Sequence, residues 1–198
     1  VDGVEIDPEV SQVGRRYFGL TESATIRLHD EDARPFLRAT RERYDMIAVD
    51  AYRQPYVPFH LATREFFRLA RDRLRPGGVV ALNVARVPGD DRLVDGIAGT
   101  LAAEFPQVVV WPALRFNALV LGFAQPLSRP ELSRRLRNGP AELEPLRRLL
   151  DDGLYAVAAA DRPWTDDRAP VEWATDRMIA AFASRGGSLD ETPLPTAP

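Results

Sequence analysis

Three short apolar runs near the start of the chain each end in a carboxylate, and a globular domain has few ways to use that pattern. The clearest is Tyr44-Asp45-Met46-Ile47-Ala48-Val49-Asp50, a polar start and an apolar stretch closed by an acid. Such a stretch reads as a parallel strand buried inside a sheet. Val4-Glu5-Ile6-Asp7 comes before it, as does Ile26-Arg27-Leu28-His29 leading into Asp30-Glu31-Asp32. In an open α/β sheet the ligand crevice lies outside the carboxyl ends of the strands. Consecutive strands that all end in acids therefore predict one acidic crevice.

Helical periodicity alternates with these runs. Asp7 reads as an N-cap and Pro8 as the first residue of a helix to about Phe18, with Val10, Val13, Tyr17 and Phe18 on one face and Gly19 as its stop. Ala33 to Arg41 reads as a short helix, and Leu61 to Leu74 as the clearest one. In the latter, Phe66, Phe67, Ala70 and Leu74 face inward, while Arg64, Arg68, Arg71 and Arg75 form a solvated face. Pro76-Gly77-Gly78 turns the chain into a strand over Val79 to Val84, and a helix from Asp91 to Glu104 follows. Val108 to Trp111 and Ala118 to Phe123 read as an antiparallel pair at one edge. Pro130 to Arg137, Ala141 to Asp152 and Val171 to Ser184 read as further helices, and 186–198 as a disordered tail beyond a domain over 1–185. The fold class is α/β, a doubly wound, mostly parallel sheet. This element order, ending in an antiparallel hairpin, is that of the Rossmann-like class I S-adenosylmethionine-dependent methyltransferase fold.

Composition removes several chemistries. The chain of 198 residues has no cysteine, which excludes disulfides, thiolate metal sites and cysteine nucleophiles. All 26 basic residues are arginine, so Schiff-base lysines and the P-loop lysine are excluded. A net charge of -3 and no interleaving of basic and aromatic residues speak against nucleic acid as a partner. No apolar run reaches the length of a membrane span and no signal peptide is present, so a cytoplasmic location without membrane contact from this segment is expected. His29 and His60 lack a metal-ligand spacing; Asp166-Asp167 reads as a loop or cap rather than a metal pair, and no metal is expected.

The runs Val4-Glu5-Ile6-Asp7-Pro8-Glu9-Val10, Asp32-Ala33 and Tyr44 to Asp50 resemble the spermidine synthase (polyamine aminopropyltransferase) family. The loops Asp50-Ala51-Tyr52-Arg53-Gln54-Pro55-Tyr56, Pro58-Phe59-His60-Leu61 and Thr165 to Glu172 are similar to those of its actinobacterial subgroup, some members of which are fused to membrane transporter segments. The resemblance runs from residue 1 to about residue 180. It implies that Glu5 binds the ribose hydroxyls of the nucleoside, a carboxylate being a two-oxygen acceptor for a vicinal diol. Asp7 would stand beside it, with capping as its first role. Asp32 would accept from the adenine amino group with the Ala33 backbone alongside. Asp50 would be the catalytic acid, orienting an amine and accepting its proton as the amine attacks the carbon next to a sulfonium. Tyr52, Gln54 and Tyr56 would line the acceptor pocket. The implied co-substrate is decarboxylated S-adenosylmethionine or S-adenosylmethionine itself, and the implied partner a small-molecule amine or other acceptor; a homodimer is compatible with the resemblance.

Two departures from the family pattern bear on function. Arg53 stands where the family carries a second acid, and an arginine repels a diamine. The first strand of the fold and its Gly-rich loop have no counterpart after Val1, so the chain is expected to be an N-terminally truncated piece with an incomplete sheet. Three readings stand: an aminopropyltransferase, a methyltransferase with another acceptor, and a non-catalytic binding module that keeps the fold.

Overall fold

The computed structural model describes residues 1–52, 55–140 and 153–186. Strands β1 (Asp2–Glu5) and β2 (Arg27–Asp30) pair in parallel, with Val4 opposite His29 and Glu5 opposite Asp30. Between them runs helix α1 (Pro8–Tyr17), capped as its sequence predicts: Asp7 Oδ1 accepts the Glu9 N–H at 2.9 Å. Gly19 turns the chain after it with a φ of 66°. Asp32 caps helix α2 (Ala33–Ala39) in the same way, accepting the Arg34 N–H at 2.7 Å.

A second sheet holds β3 (Tyr44–Val49), β4 (Leu74–Ala85), β5 (Gln107–Trp111), β6 (Asn117–Phe123) and β7 (Tyr155–Val157) in the order β3-β4-β6-β5-β7. β3 and β4 are parallel, with Val49 opposite Leu82; the other pairs are antiparallel. The expected β5–β6 pair forms, but it is not the edge. β7 lies outside β5, and so short a strand in an Ala-rich stretch carries no alternation to read.

Helices α3 (Arg64–Asp72), α4 (Arg92–Leu101), α5 (Arg129–Arg137) and α6 (Val171–Ser184) complete the described elements. α3 starts later than its periodicity suggests because Thr63 is its N-cap and Phe59–Leu61 forms a separate 3-10 turn. Pro76-Gly77-Gly78 does not end this helix; it sits inside a bulged β4. Tyr44 pairs with Leu74 but Met46 with Val79, so the extra residues of β4 must fold out. Gly77 has a φ of 78°, and a Cβ on Gly78 would stand 3.2 Å from the Asp45 carbonyl oxygen. The expected helix over Ala141 to Asp152 and the expected tail beyond Gly186 lie outside the described residues. Among the described residues, no helix is long and apolar enough to cross a membrane.

The core forms where β4 and β6 meet α3 and α4. Phe66, Phe67, Val80, Val84, Leu93, Ile97, Leu101 and Val120 are fully buried there, and each such side chain contributes on the order of 1.5–3 kcal/mol by leaving water. The arginine face of α3 is not simply solvated. Glu104, almost wholly buried, accepts from Arg64 at 2.6 Å and from Arg68 and Arg71 at 3.0 Å each. Burial pushes the Glu104 carboxyl up, but the bonds from Arg68 and Arg64 outweigh it and hold it low.

Among the described residues the two sheets do not join. β1 and β3 face each other across a cavity, bridged where the Tyr44 hydroxyl donates to Asp2 Oδ2 at 3.0 Å. β3 therefore departs from the expected fully buried strand, and Met46 is 55% exposed. The apolar face of α1 is open as well, with Phe18 81% exposed, because a two-stranded sheet is too narrow to cover it.

Asp2 ties this region together. It accepts from Arg27 at 2.7 and 2.9 Å, from His29 Nε2 at 2.9 Å and from Tyr44. The Arg27 guanidinium chiefly holds its carboxyl well below the usual carboxylate range. A depressed folded-state pKa contributes stability above the unfolded value of about 4 and loses it as pH falls below. Denaturant midpoints at pH 7 and pH 3 should therefore fall more in the wild type than in Asp2→Asn, which has already lost this contribution at pH 7. In α4, a Cβ on Gly96 would overlap Trp164 Cζ2. Gly96→Ala must push that indole out, at a cost of about 1–3 kcal/mol, read as a lower unfolding midpoint with a changed Trp fluorescence.

Candidate active site

The carboxyl ends of β1 and β3 and the N-terminus of α2 open on one cavity of about 1290 Å³. That exceeds the usual size of a small-molecule pocket, about 300–1,000 Å³, because the space includes the gap between the sheets. Glu5, Asp7, Asp32, Ala33, Asp50, Tyr52 and Tyr56 all line it. Gln54, expected beside them, and Arg53 lie outside the described residues.

Each acid is held by its own local chemistry. Glu5 closes β1 and its Oε1 accepts the Asp7 N–H at 2.9 Å, which fixes the turn into α1. Asp7 is exposed and occupied by capping. Asp32 is half-buried; Oδ1 caps α2 and Oδ2 lies 3.0 Å from His60 Nε2. Ala33 is the first helical residue, so its N–H has no partner within the helix.

Asp50 follows β3 directly and is exposed to the cavity. The Asn83 amide donates to its Oδ1 at 3.0 Å, and Asn117 donates to Asn83 Oδ1 at 2.9 Å. An Asn oxygen that accepts from Asn117 leaves the NH₂ for Asp50, so the two bonds fix the amide's orientation together. Tyr52 turns away from the cavity's acids: its hydroxyl donates to the Asn83 carbonyl at 2.8 Å, and burial pushes its pKa up to about 12. Tyr56 presents its ring to the cavity while its hydroxyl donates to Asp176 of α6 at 2.8 Å. Glu172, one turn earlier on α6, also lines the cavity.

His60, Asn83 and Glu172 were not expected in the site from sequence. Asn83 had a readable signal, a lone amide inside the apolar run Val79 to Val84. His60 lies in the Pro-bracketed loop already of interest, but its partner is 28 positions away, and no spacing rule links the two.

The expected Asp166 loop is a clasp rather than a metal pair. Arg34 donates to both Asp166 oxygens, at 2.8 and 2.6 Å, and Thr63 Oγ1 donates to Oδ1 at 2.8 Å. The Asp166 N–H donates to Glu65 Oε2 at 3.1 Å, and the Arg64 N–H to the Trp164 carbonyl at 2.8 Å. The loop thus fastens α2 to α3 beside the cavity. The Arg34 bonds hold the Asp166 carboxyl below the usual range.

Acidic strand ends over one cavity, in an α/β fold with a mixed sheet, define a Rossmann-like fold of the class I methyltransferase kind. Residues 1–110 match the spermine/spermidine synthase domain. The chain is 35% identical over 106 residues to a probable polyamine aminopropyl transferase of Bifidobacterium longum, covering 53% of the chain and 23% of that protein. It is similar in fold to a probable spermidine synthase from Corynebacterium glutamicum, with a TM-score of 0.59 and 20% identity over 100% of the chain and 66% of that one. It is also similar to human methyltransferase-like protein 13 in complex with SAH, with a TM-score of 0.58 and 26% identity over 83% of the chain and 73% of that one. The chain belongs to the spermine/spermidine synthase family. It spans about a quarter of the length of the curated Bifidobacterium relative.

The clasp has a measurable consequence. Arg34→Met removes the paired bonds but keeps much of the side-chain packing. Because Asp166 is 43% exposed, solvent screens the pair, and the loss should be modest, about 1 kcal/mol. Limited proteolysis should nick residues 161–170 faster in the variant than in the wild type.

Proposed function

We propose that this crevice transfers an aminopropyl group from decarboxylated S-adenosylmethionine to an amine. One observation carries the reading. Among the described residues, Glu5, Asp32 and Asp50 have no guanidinium partner, although arginines neutralise Asp2, which also lines the cavity, and Asp90, Asp91, Glu104 and Asp166 elsewhere. Three carboxylates left without cations favour a cationic sulfonium and a cationic amine. Membership of the family supports the same chemistry.

In this reading Glu5, already tethered through Oε1, offers Oε2 to the ribose diol. Asp32 accepts from the adenine amino group, with the Ala33 N–H beside the ring, and Asp7 keeps the β1–α1 turn in place. Asp50 accepts a proton from the bound ammonium. The freed lone pair attacks the propyl carbon next to sulfur as the carbon–sulfur bond breaks, and sulfur leaves as a neutral thioether. The chain's contribution is positioning and charge: Asn83 fixes Asp50, and Tyr52 buttresses Asn83. Tyr56 borders the acceptor. The sequence carries an arginine three positions after Asp50, where the family pattern has an acid, and that exchange favours a monoamine over a diamine as acceptor. Methyl transfer is the second reading, favoured by the fold likeness to methyltransferase-like protein 13.

Calorimetry against decarboxylated and ordinary S-adenosylmethionine separates the two, since the first reading expects tighter binding of the decarboxylated form and the second the reverse. Binding of neither would refute both. Asp50→Asn should lower aminopropyl transfer at least about a hundredfold while nucleoside affinity stays within about threefold. Full activity in that variant would remove Asp50 from the chemistry.

A further inference from the structure

The Asp32 carboxylate is held at both oxygens, and only one of the two holds comes from its own helix. Oδ1 accepts the Arg34 N–H at 2.7 Å. Oδ2 meets His60 Nε2 at 3.0 Å, and an ionised carboxylate has no proton to give, so the imidazole must donate through Nε2–H. A carboxylate held at one oxygen can rotate about its Cβ–Cγ bond; a second donor on the other oxygen fixes its plane. His60 is itself well anchored. Its carbonyl accepts from Arg34 Nη1 at 3.1 Å, its ring packs edge-on against Phe59 at 5.7 Å, and Leu61 of the same 3-10 turn is buried. Both Asp32 and His60 line the cavity.

We propose that His60 is a positioning residue that fixes Asp32 as an acceptor and thereby sets a preference for 6-amino over 6-oxo purine nucleosides in this crevice. This rests on the nucleoside reading given above. With both donors in place, the lone pairs that remain on Asp32 can only accept. They suit an exocyclic amine, and they repel the carbonyl oxygen that hypoxanthine presents at the same position. Without His60, Oδ2 turns toward water, and the site loses contact with the amine and repulsion of the carbonyl together.

The test compares 5′-methylthioadenosine with 5′-methylthioinosine, which differ in the group at purine position 6 and in the N1 proton that comes with the oxo form, and which lack the arm on which aminopropyl and methyl transfer disagree. Affinities are measured by calorimetry on the wild type, His60→Ala and His60→Phe. The Phe variant keeps a ring against Phe59 and removes the donor, so it carries the comparison if the Ala variant does not fold. The wild type should prefer the adenosine form, and the ratio of the two affinities should fall by about tenfold in either variant, chiefly through weaker binding of the adenosine form. An unchanged ratio, whether affinities stay the same or drop together, would mean that His60 is only structural and would overturn the proposal while leaving the nucleoside site standing. A wild type that binds neither nucleoside would overturn the nucleoside reading and this proposal with it.

Discussion

A strand in a parallel sheet needs partners on both sides for its amides and carbonyls, and among the described residues β1 and β3 each have a partner on one side only. The other features of the molecule follow from that constraint. The cavity is large because it runs down between two unpaired backbone edges. Met46 and the apolar face of α1 are exposed because the sheet is divided. A direct tie across the gap, Tyr44 to Asp2, is a side-chain bond, and Asp2 serves as its anchor because Arg27 and His29 hold it in turn.

Charge is distributed with the same economy. The arginine-rich sequence could neutralise any acid it met, yet its guanidinia meet acids that build structure. Glu104 gathers three of them against α3, Asp166 takes Arg34, and Asp91 takes Arg86. Glu5, Asp32 and Asp50 in the crevice are held by weaker, neutral or local donors: a backbone N–H for Glu5, a backbone N–H and an imidazole for Asp32, a carboxamide for Asp50. Such donors orient a carboxylate without cancelling its charge. That combination suits a site for cations.

The elements legible in the sequence were those written in local chemistry. Asp7-Pro8 and Asp32-Ala33 fixed two helix starts because an N-cap needs only its own neighbours. Val171 to Ser184 appeared with the bounds its periodicity gave. The strand-end acids lay together because the rule for parallel sheets is general. Long-range contacts could not be read. The triple grip on Glu104 joins α3 to a position more than thirty residues away, and β7 is recognisable only by its pairing with β5. His60 and Asn83 belong to the same class, since each enters the site through a partner chosen by the fold.

Asn83 shows how a site can stay ordered beside a divided sheet. Asp50 is carried by a strand with one neighbour, where backbone pairing alone restrains it from a single side. The chain Asn117 to Asn83 to Asp50 passes from β6 through β4 to the end of β3, so the carboxylate takes its orientation from the buried middle of the second sheet. Tyr52, just beyond Asp50, returns the tie to the Asn83 carbonyl. The acid is thus fixed from the well-packed side, and the open side is left to the ligand. Precision in the crevice then depends on β4 and β6, the most buried strands of the fold, and not on closure of the gap.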